Sequence, residues 1–499
     1  MIAWLRKLPV AIFLLLQAFL CLWRLNLLAP WGDEVTSLHT VQLDVPHLVA
    51  AAAKDIHPPL YYLLLHFWQG LPLGLDAVLQ ARLLSVLFLL GATVAVERFW
   101  ARKLPGRGRV AFLAIWTLSP CLLLYGRMCR SYSLQLLTAI LAAACIRNYA
   151  EQRTRKFQAL LAVSLAVALY THYVPGIALL AAANLMLIQR LRWRDAAEID
   201  AVVVLAYLPW MGWLWQSLAR WGNHPESYFL TGTSIYDLPV KLAYWLASFT
   251  LGESQPDLVL LAGILLILAV LWLAAVGTGR DRVLAWIAIP ATLIGIVGVG
   301  RWVSYPFLPA RLLFTYPFLL LLAVQGGQVR RRLGQAVCIA TIAASVVGIG
   351  CYFQKSGFRN KEYPLPVREI TAYIERYSTP ADSLVLVDST NSDPQALAYA
   401  LAGSRTLLET TGAGAPQALD RFLADPNIRS VWFLRNTHDI SVYRLDDQFD
   451  RQLRAAMTPT VHSYERFSPL ETWVIRRIGI DPPPAWFTEL LEFRRPTPR

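Results

Sequence analysis

The sequence predicts a polytopic α-helical membrane protein with about 11 transmembrane helices, followed by a soluble α/β domain. Three observations predict it. The 499 residues are 56% hydrophobic and only 16% charged, against about 25% charged in an ordinary soluble domain. The apolar residues gather in runs too long and too free of charge for soluble helices. The composition then changes near residue 355: residues 1–354 hold 28 Lys and Arg against 15 Asp and Glu, whereas 355–499 hold 18 of each. The whole net charge of +13 therefore belongs to the apolar part. These numbers exclude a disordered chain, a disulfide scaffold and a single small domain. A basic nucleic-acid-binding domain would carry its charge on a soluble surface, and this chain does not.

The runs lie at 8–23, 78–96, 110–125, 133–146, 157–170, 176–188, 201–218, 258–276, 283–300, 312–324 and 334–352. A span needs about 20 residues, so the shorter runs borrow flanking residues or tilt. The first run lacks a small-residue cleavage site and leads into further spans, so it reads as an anchor and not as a cleaved signal. The links alternate in charge. One set, from Arg6-Lys7 to Arg330-Arg331-Arg332, holds 19 basic and six acidic residues; the other set is neutral. By the positive-inside rule the basic links are cytoplasmic. The expected location is the inner (plasma) membrane of a bacterium, with the N-terminus inside and the C-terminal domain external or periplasmic. All six cysteines precede residue 352, so disulfides do not hold the exported domain.

Residues 1–354 form the membrane module and 355–499 the soluble domain. Within the module, 29–77 is a long external loop in which 50–53 and 60–68 read as short interfacial helices. A second external loop, about 219–255, is rich in Trp and Tyr, which suits the headgroup level. In the soluble domain, 367–377 and 394–401 read as helices, and 383–388, 430–434 and 472–478 as strands. The chain has no Walker motif and no GxGxxG loop, so ATP-driven transport has no support.

Polar groups collect at the external ends of spans. Asp33-Glu34 follows the first span, and His57-Pro58-Pro59 opens the stretch HPPLYYLLLHFW, with Tyr61 and Tyr62. Arg127 and Arg130 follow the third span, His172 the fifth, and Arg301 and Arg311 flank a late turn. Ionisable groups at membrane depth are costly and point to function. Each also has a plain structural role open to it: a negative charge at a helix start, a helix cap, or snorkelling to headgroups. Their convergence on one side favours a site.

These residues together give a chain that resembles the GT-C membrane glycosyltransferases. It is most similar to the branch using polyprenyl-phosphate sugars, which includes the lipid A aminoarabinose transferases and the RgtA/B/C/D-like lipopolysaccharide core transferases. Protein O-mannosyltransferases are more distant. Asp33-Glu34 matches the family's Asp-Glu pair, and His57-Pro58-Pro59 its His-Pro-Pro stretch. Ser119-Pro120, Tyr125, Arg130 and Tyr132-Ser133-Leu134 match a further segment, and Thr171-His172-Tyr173 another. A late Arg-Tyr is half matched by Arg311 with Leu312. Arg127 and Met128 stand where the family often has Gln-Glu. The likeness covers about residues 1–350.

The resemblance implies glycosyl transfer to an acceptor hydroxyl of a lipid, lipopolysaccharide or protein at the external face. Asp33 is then the base, Glu34 and Tyr61 position the acceptor, and His57, Arg127, Arg130, Tyr132, His172, Arg301 and Arg311 bind the donor's phosphate and sugar. A lipid phosphate is a weakly basic leaving group and needs cations more than a general acid. One base with direct displacement implies inversion. No cofactor is required; a divalent cation is compatible with carboxylates and imidazoles at a phosphate site. The competing class is a secondary transporter. It is disfavoured because the polar groups sit at span ends and not at the midplane, and because a transporter has no need of the large outer domain.

Overall fold

The computed structural model describes residues 2–499 apart from 56, 223–236, 303–308, 388–391, 411–413, 438–441, 444–446, 466–467, 469, 471–472, 474–486 and 496–499. The chain divides into two compact units. The first comprises Met1–Leu25 and Ser37–Gly357, the second Asn26–Thr36 and Phe358–Arg499.

The helices of the amino-terminal half, in chain order, are α1 (Ile2–Leu22), α2 (Gly32–Thr40), α3 (Val45–Lys54), α4 (Leu60–Gln69), α5 (Ala77–Phe99), α6 (Gly106–Thr117), α7 (Pro120–Gly126) and α8 (Tyr132–Glu151). Then follow α9 (Arg155–Thr171), α10 (Tyr173–Gln189), α11 (Trp193–Gly222), α12 (Asp237–Thr250), α13 (Asp257–Thr278), α14 (Arg282–Trp302), a 3₁₀ turn at Pro309–Thr315, α15 (Tyr316–Val329) and α16 (Arg331–Phe353). Each of the 11 apolar runs falls largely on helix.

Among the described residues, five stretches are long and apolar enough to cross a membrane: Ala77–Lys103, Trp193–Gln216, Asp257–Thr278, Pro309–Val329 and Arg331–Phe353. A sixth is added if α6 and α7 form one span, and Val10–Leu22, Tyr173–Gln189 and Arg282–Gly298 are shorter apolar helices. The run at 110–125 is not one straight helix. It bends by 49°, because Ser119 takes extended backbone, caps α7 through the Leu122 amide at 3.3 Å, and is followed by Pro120 in the first turn.

Two kinds of contact hold this unit together. Polar side chains bridge helices where no water is available to bond them. The Trp116 indole donates to the Thr93 hydroxyl at 2.8 Å, and that hydroxyl donates to Gln17 at 2.6 Å, tying α6, α5 and α1. Small residues allow close approach. A side chain at Gly277 of α13 would run into the Leu322 carbonyl of α15, and one at Gly326 into the Leu273 carbonyl. At the end of α1 the chain turns through Arg24 in the left-handed region, φ 51°. The turn is held from two other elements. Arg127 donates to the carbonyls of Trp23 (3.1 Å) and Arg24, and Arg82 to that of Leu25 (3.1 Å).

The second unit is built on a six-stranded mixed sheet. In chain order its elements are α17 (Val367–Tyr377), β1 (Ser383–Val387), α18 (Ser392–Leu401), β2 (Thr406–Glu409), α19 (Ala415–Ala424), β3 (Ser430–Thr437), β4 (Val442–Tyr443), α20 (Asp447–Ala456), β5 (Thr458–Glu465) and β6 (Phe487–Arg494). The strand order is β2-β1-β3-β6-β5, with β4 paired to β3. β1 is parallel to β2 and β3, while β6 runs antiparallel to β3 and β5. Alternate residues of β1 face opposite ways. Val385 and Val387 pack with Ile370, Ile374 and Leu397, while Leu384 and Leu386 pack with Leu419 and Leu453. Residues 26–36 belong to this unit although they precede it by more than 300 positions. Of the expected strand at 472–478, all but Trp473 lie outside the described residues, and Trp473 is not in a strand.

Candidate active site

The site is assembled from segments that flank spans of the first unit. α3 ends at Asp55, and the chain passes through His57, Pro58 and Pro59 into α4. The Pro pair fixes the approach to α4 and presents Tyr61 and Tyr62 in its first turn. Arg130 lies between α7 and α8 and is 5% exposed. Its guanidinium donates to the Ser37 hydroxyl at 3.0 Å, to the Tyr62 hydroxyl at 3.1 Å and to His57 Nε2 at 3.2 Å.

Arginine has no acceptor, so His57 Nε2 must carry the lone pair and Nδ1 the proton. Nδ1 accordingly faces acceptors: the Asp55 carbonyl at 2.6 Å and the Asp55 carboxylate at 3.0 Å. The chain Asp55–His57–Arg130 is therefore a continuous run of hydrogen bonds with the imidazole in the middle. Burial acts against the charge of Asp55, but His57, Arg130 and Arg311 outweigh it and hold the carboxyl below its usual range.

His172 completes the cluster. Its ring lies 6.4 Å from that of His57. It is the residue between α9 and α10, and its Nδ1 accepts from the Val174 amide at 3.2 Å, capping α10. Removal from water, then the neighbouring His57, Arg311 and Arg130, hold its pKa well below the ordinary imidazole value. Arg311 sits on the 3₁₀ turn, which is pinned to α8 because the Gln135 amide donates to the Ala310 carbonyl.

Five of the sequence-predicted residues thus have their places around one cluster or on its rim: His57, Arg130, His172 and Arg311 by mutual contact or field, and Tyr61 beside Tyr62 at 5.9 Å. Tyr61 also shares a hydrogen bond with Ser85 at 3.3 Å. Asp33 and Glu34 occupy the first turn of α2, in the second unit. Glu34 is 1% exposed and accepts from the Trp31 amide at 3.4 Å. Arg127 is engaged elsewhere, with the turn after α1 and over the rings of Tyr352 and Phe353 at 5.1 and 5.4 Å. Tyr132 packs edge-on to Tyr125 at 5.5 Å. The side chain of Arg301 lies outside the described residues.

The sequence reading missed Asp55 and Ser37. The first was legible as an acid two residues before His57 and just after a helix; a lone Ser carries no such signal. It also missed Glu253, a carboxylate 1% exposed that accepts from the hydroxyls of Tyr125, Tyr244 and Ser248, the last at 2.8 Å. Among the described residues no group of three or more His, Cys, Asp and Glu is placed to hold a metal ion. An apolar groove of about 910 Å³ runs beside α6, α13, α15 and α16, from Tyr316 to Gln328 along α15. Tyr316 directly follows the 3₁₀ turn that bears Arg311.

No protein-family model matches the sequence, and no curated protein matches it. Solved structures do. ArnT from Cupriavidus metallidurans in the apo state is similar over 98% of both chains, with a TM-score of 0.53 and 13% identity. The same protein bound to undecaprenyl phosphate gives 0.52 and 14%, again over 98% of each. The mycobacterial arabinofuranosyltransferase AftD gives 0.46 and 14%, over 97% of this chain and 41% of AftD. The chain thus shares the fold of ArnT over nearly its whole length, and its apolar helices make it a multi-pass membrane protein.

Proposed function

We propose that the protein is a membrane glycosyltransferase that moves a sugar from a polyprenyl-phosphate donor to an acceptor hydroxyl at the external membrane face. The observation that carries this reading is the buried Arg130. It is held by Ser37, Tyr62 and His57, with Arg311 close enough to act on the same Asp55. Burying a guanidinium is costly unless it meets an anion or a full set of acceptors. Two arginines beside an imidazole suit a lipid phosphate. The likeness in fold to ArnT, which has been solved with undecaprenyl phosphate, supports the same ligand class.

In the proposed step the bond between the anomeric carbon and the phosphate oxygen breaks, and the electron pair leaves with the lipid phosphate. Arg130 and Arg311 stabilise that developing charge by charge-assisted hydrogen bonds. The acceptor oxygen forms the new bond from the opposite face, which inverts the centre, and its proton passes to Asp33. Glu34 and Tyr61 position the acceptor. Asp33 stands four residues before Ser37 on α2, one helical turn, and Ser37 is a partner of Arg130. The groove that starts at Tyr316 is the proposed berth of the prenyl chain. The acceptor is a lipid, lipopolysaccharide or protein of the bacterial envelope, and the basic links face the cytoplasm. No metal is assigned a role.

The test uses purified protein with a polyprenyl-phosphate sugar and an envelope extract as acceptor, with and without chelator. Release of polyprenyl phosphate with one new sugar mass on an acceptor, unaffected by chelator, is the expected result. Movement of a solute across sealed vesicles without donor consumption would establish a transporter instead.

A further inference from the structure

We infer that the C-terminal domain is a positioning device for the Asp33–Glu34 pair, with Tyr363 and Arg368 as its positioning residues. The inference rests on the catalytic reading of Asp33 given above. Residues 26–36, which carry the pair, cluster with the C-terminal domain and not with the membrane helices they interrupt. Three contacts make this attachment. The Trp31 and Tyr363 rings meet edge-on at 5.3 Å, and both residues are buried, at 4% and 2% exposure. Ala29 packs with Leu365, Val367 and Ala396. The Arg368 guanidinium donates to the Asn26 carbonyl at 2.7 Å. The attachment leads straight to the acids, because the Trp31 amide donates to Glu34.

The physical need is clear from α2 itself. It has nine residues, and isolated helices shorter than about 12 residues are marginal in water. Its first turn therefore depends on tertiary packing, and Trp31, the residue just before it, packs on Tyr363. A base that acts in a transition state must be held within about 0.5 Å of its productive position, and a misplacement of about 1 Å can cost on the order of 100-fold. On the catalytic reading of Asp33, the unit that holds it then sets kcat.

The experiment compares Tyr363→Ala, Tyr363→Phe, Arg368→Ala and Asp33→Asn in the full-length, membrane-inserted protein, reading kcat, donor KM and polyprenyl-phosphate affinity. Tyr363→Ala is expected to lower kcat roughly 10- to 100-fold with donor affinity unchanged, and Tyr363→Phe to restore it. Arg368 is exposed, so Arg368→Ala keeps the fold and is expected to lower kcat several-fold. Unchanged kcat in both alanine variants overturns the inference, as does a loss of donor affinity that matches the loss of kcat. Asp33→Asn separates the two claims: if it is inactive while Tyr363→Ala and Arg368→Ala turn over normally, only the positioning role fails; if it is active, the catalytic reading fails.

Discussion

Arg130 gathers partners from two separate stretches of sequence, and its geometry makes a sharp demand. One terminal nitrogen of its planar fork meets Ser37 and Tyr62, and the other meets His57. Lysine is a point charge without that fork. Arg130→Lys is expected to weaken polyprenyl-phosphate binding by roughly 10- to 100-fold, the loss of one charge-assisted bond at about 1.5–3 kcal/mol; isothermal titration or a lipid-binding assay measures it. His172 offers a pH test. Its folded pKa lies well below the imidazole value of about 6.5 that the unfolded chain retains. Below that value the unfolded chain binds a proton that the folded chain does not, so stability is full above it and declines as pH falls. The melting temperature in detergent is expected to drop between pH 7.5 and 5.5, and to drop less in His172→Gln. Equal drops would remove His172 from the account. At this scale the sequence was informative where a charge or imidazole interrupts apolar surroundings, as at His57, Arg130 and His172. It was mute for Ser37 and Glu253, whose roles exist only once distant segments meet.

Among elements, apolar length marked the helices well, because a chain in lipid must satisfy its backbone internally. The breaks were harder to see. The Ser119-Pro120 bend interrupts an otherwise continuous apolar run, and α2 begins at the Gly32-Asp33-Glu34 step, where the polar composition gave no amphipathic period to read. The strands β5 and β6 escaped notice for a related reason: each mixes polar or charged with apolar residues, and in β6 the charged Glu489 and Glu492 are themselves buried. The apolar groove beside α15 permits a prediction at this scale. Ala114 lines it and is half-buried. Ala114→Phe is expected to raise KM for long-chain polyprenyl donors several-fold while sparing short-chain analogues. A uniform effect on both would place the prenyl chain elsewhere.

For the whole molecule, charge and composition separated the membrane part from the C-terminal part, but not where residues 26–36 belong. That segment follows the first span by only a few residues, and its attachment to Tyr363, Val367 and Arg368 is a long-range fact that no local pattern carries. The likeness to ArnT extends over both units, at an identity of only 13%, so the fold persists where sequence matching is silent. The net charge of +13 is an orientation signal on this account, and the chemistry is expected on the neutral side. The most direct test is single-turnover conversion of a polyprenyl-phosphate sugar by purified wild-type and Asp33→Asn proteins. The account predicts release of polyprenyl phosphate by the wild type and a loss of about 100- to 10,000-fold in Asp33→Asn, the usual worth of a general base, with donor binding retained. Wild-type turnover by Asp33→Asn, or no release by either protein, would contradict it.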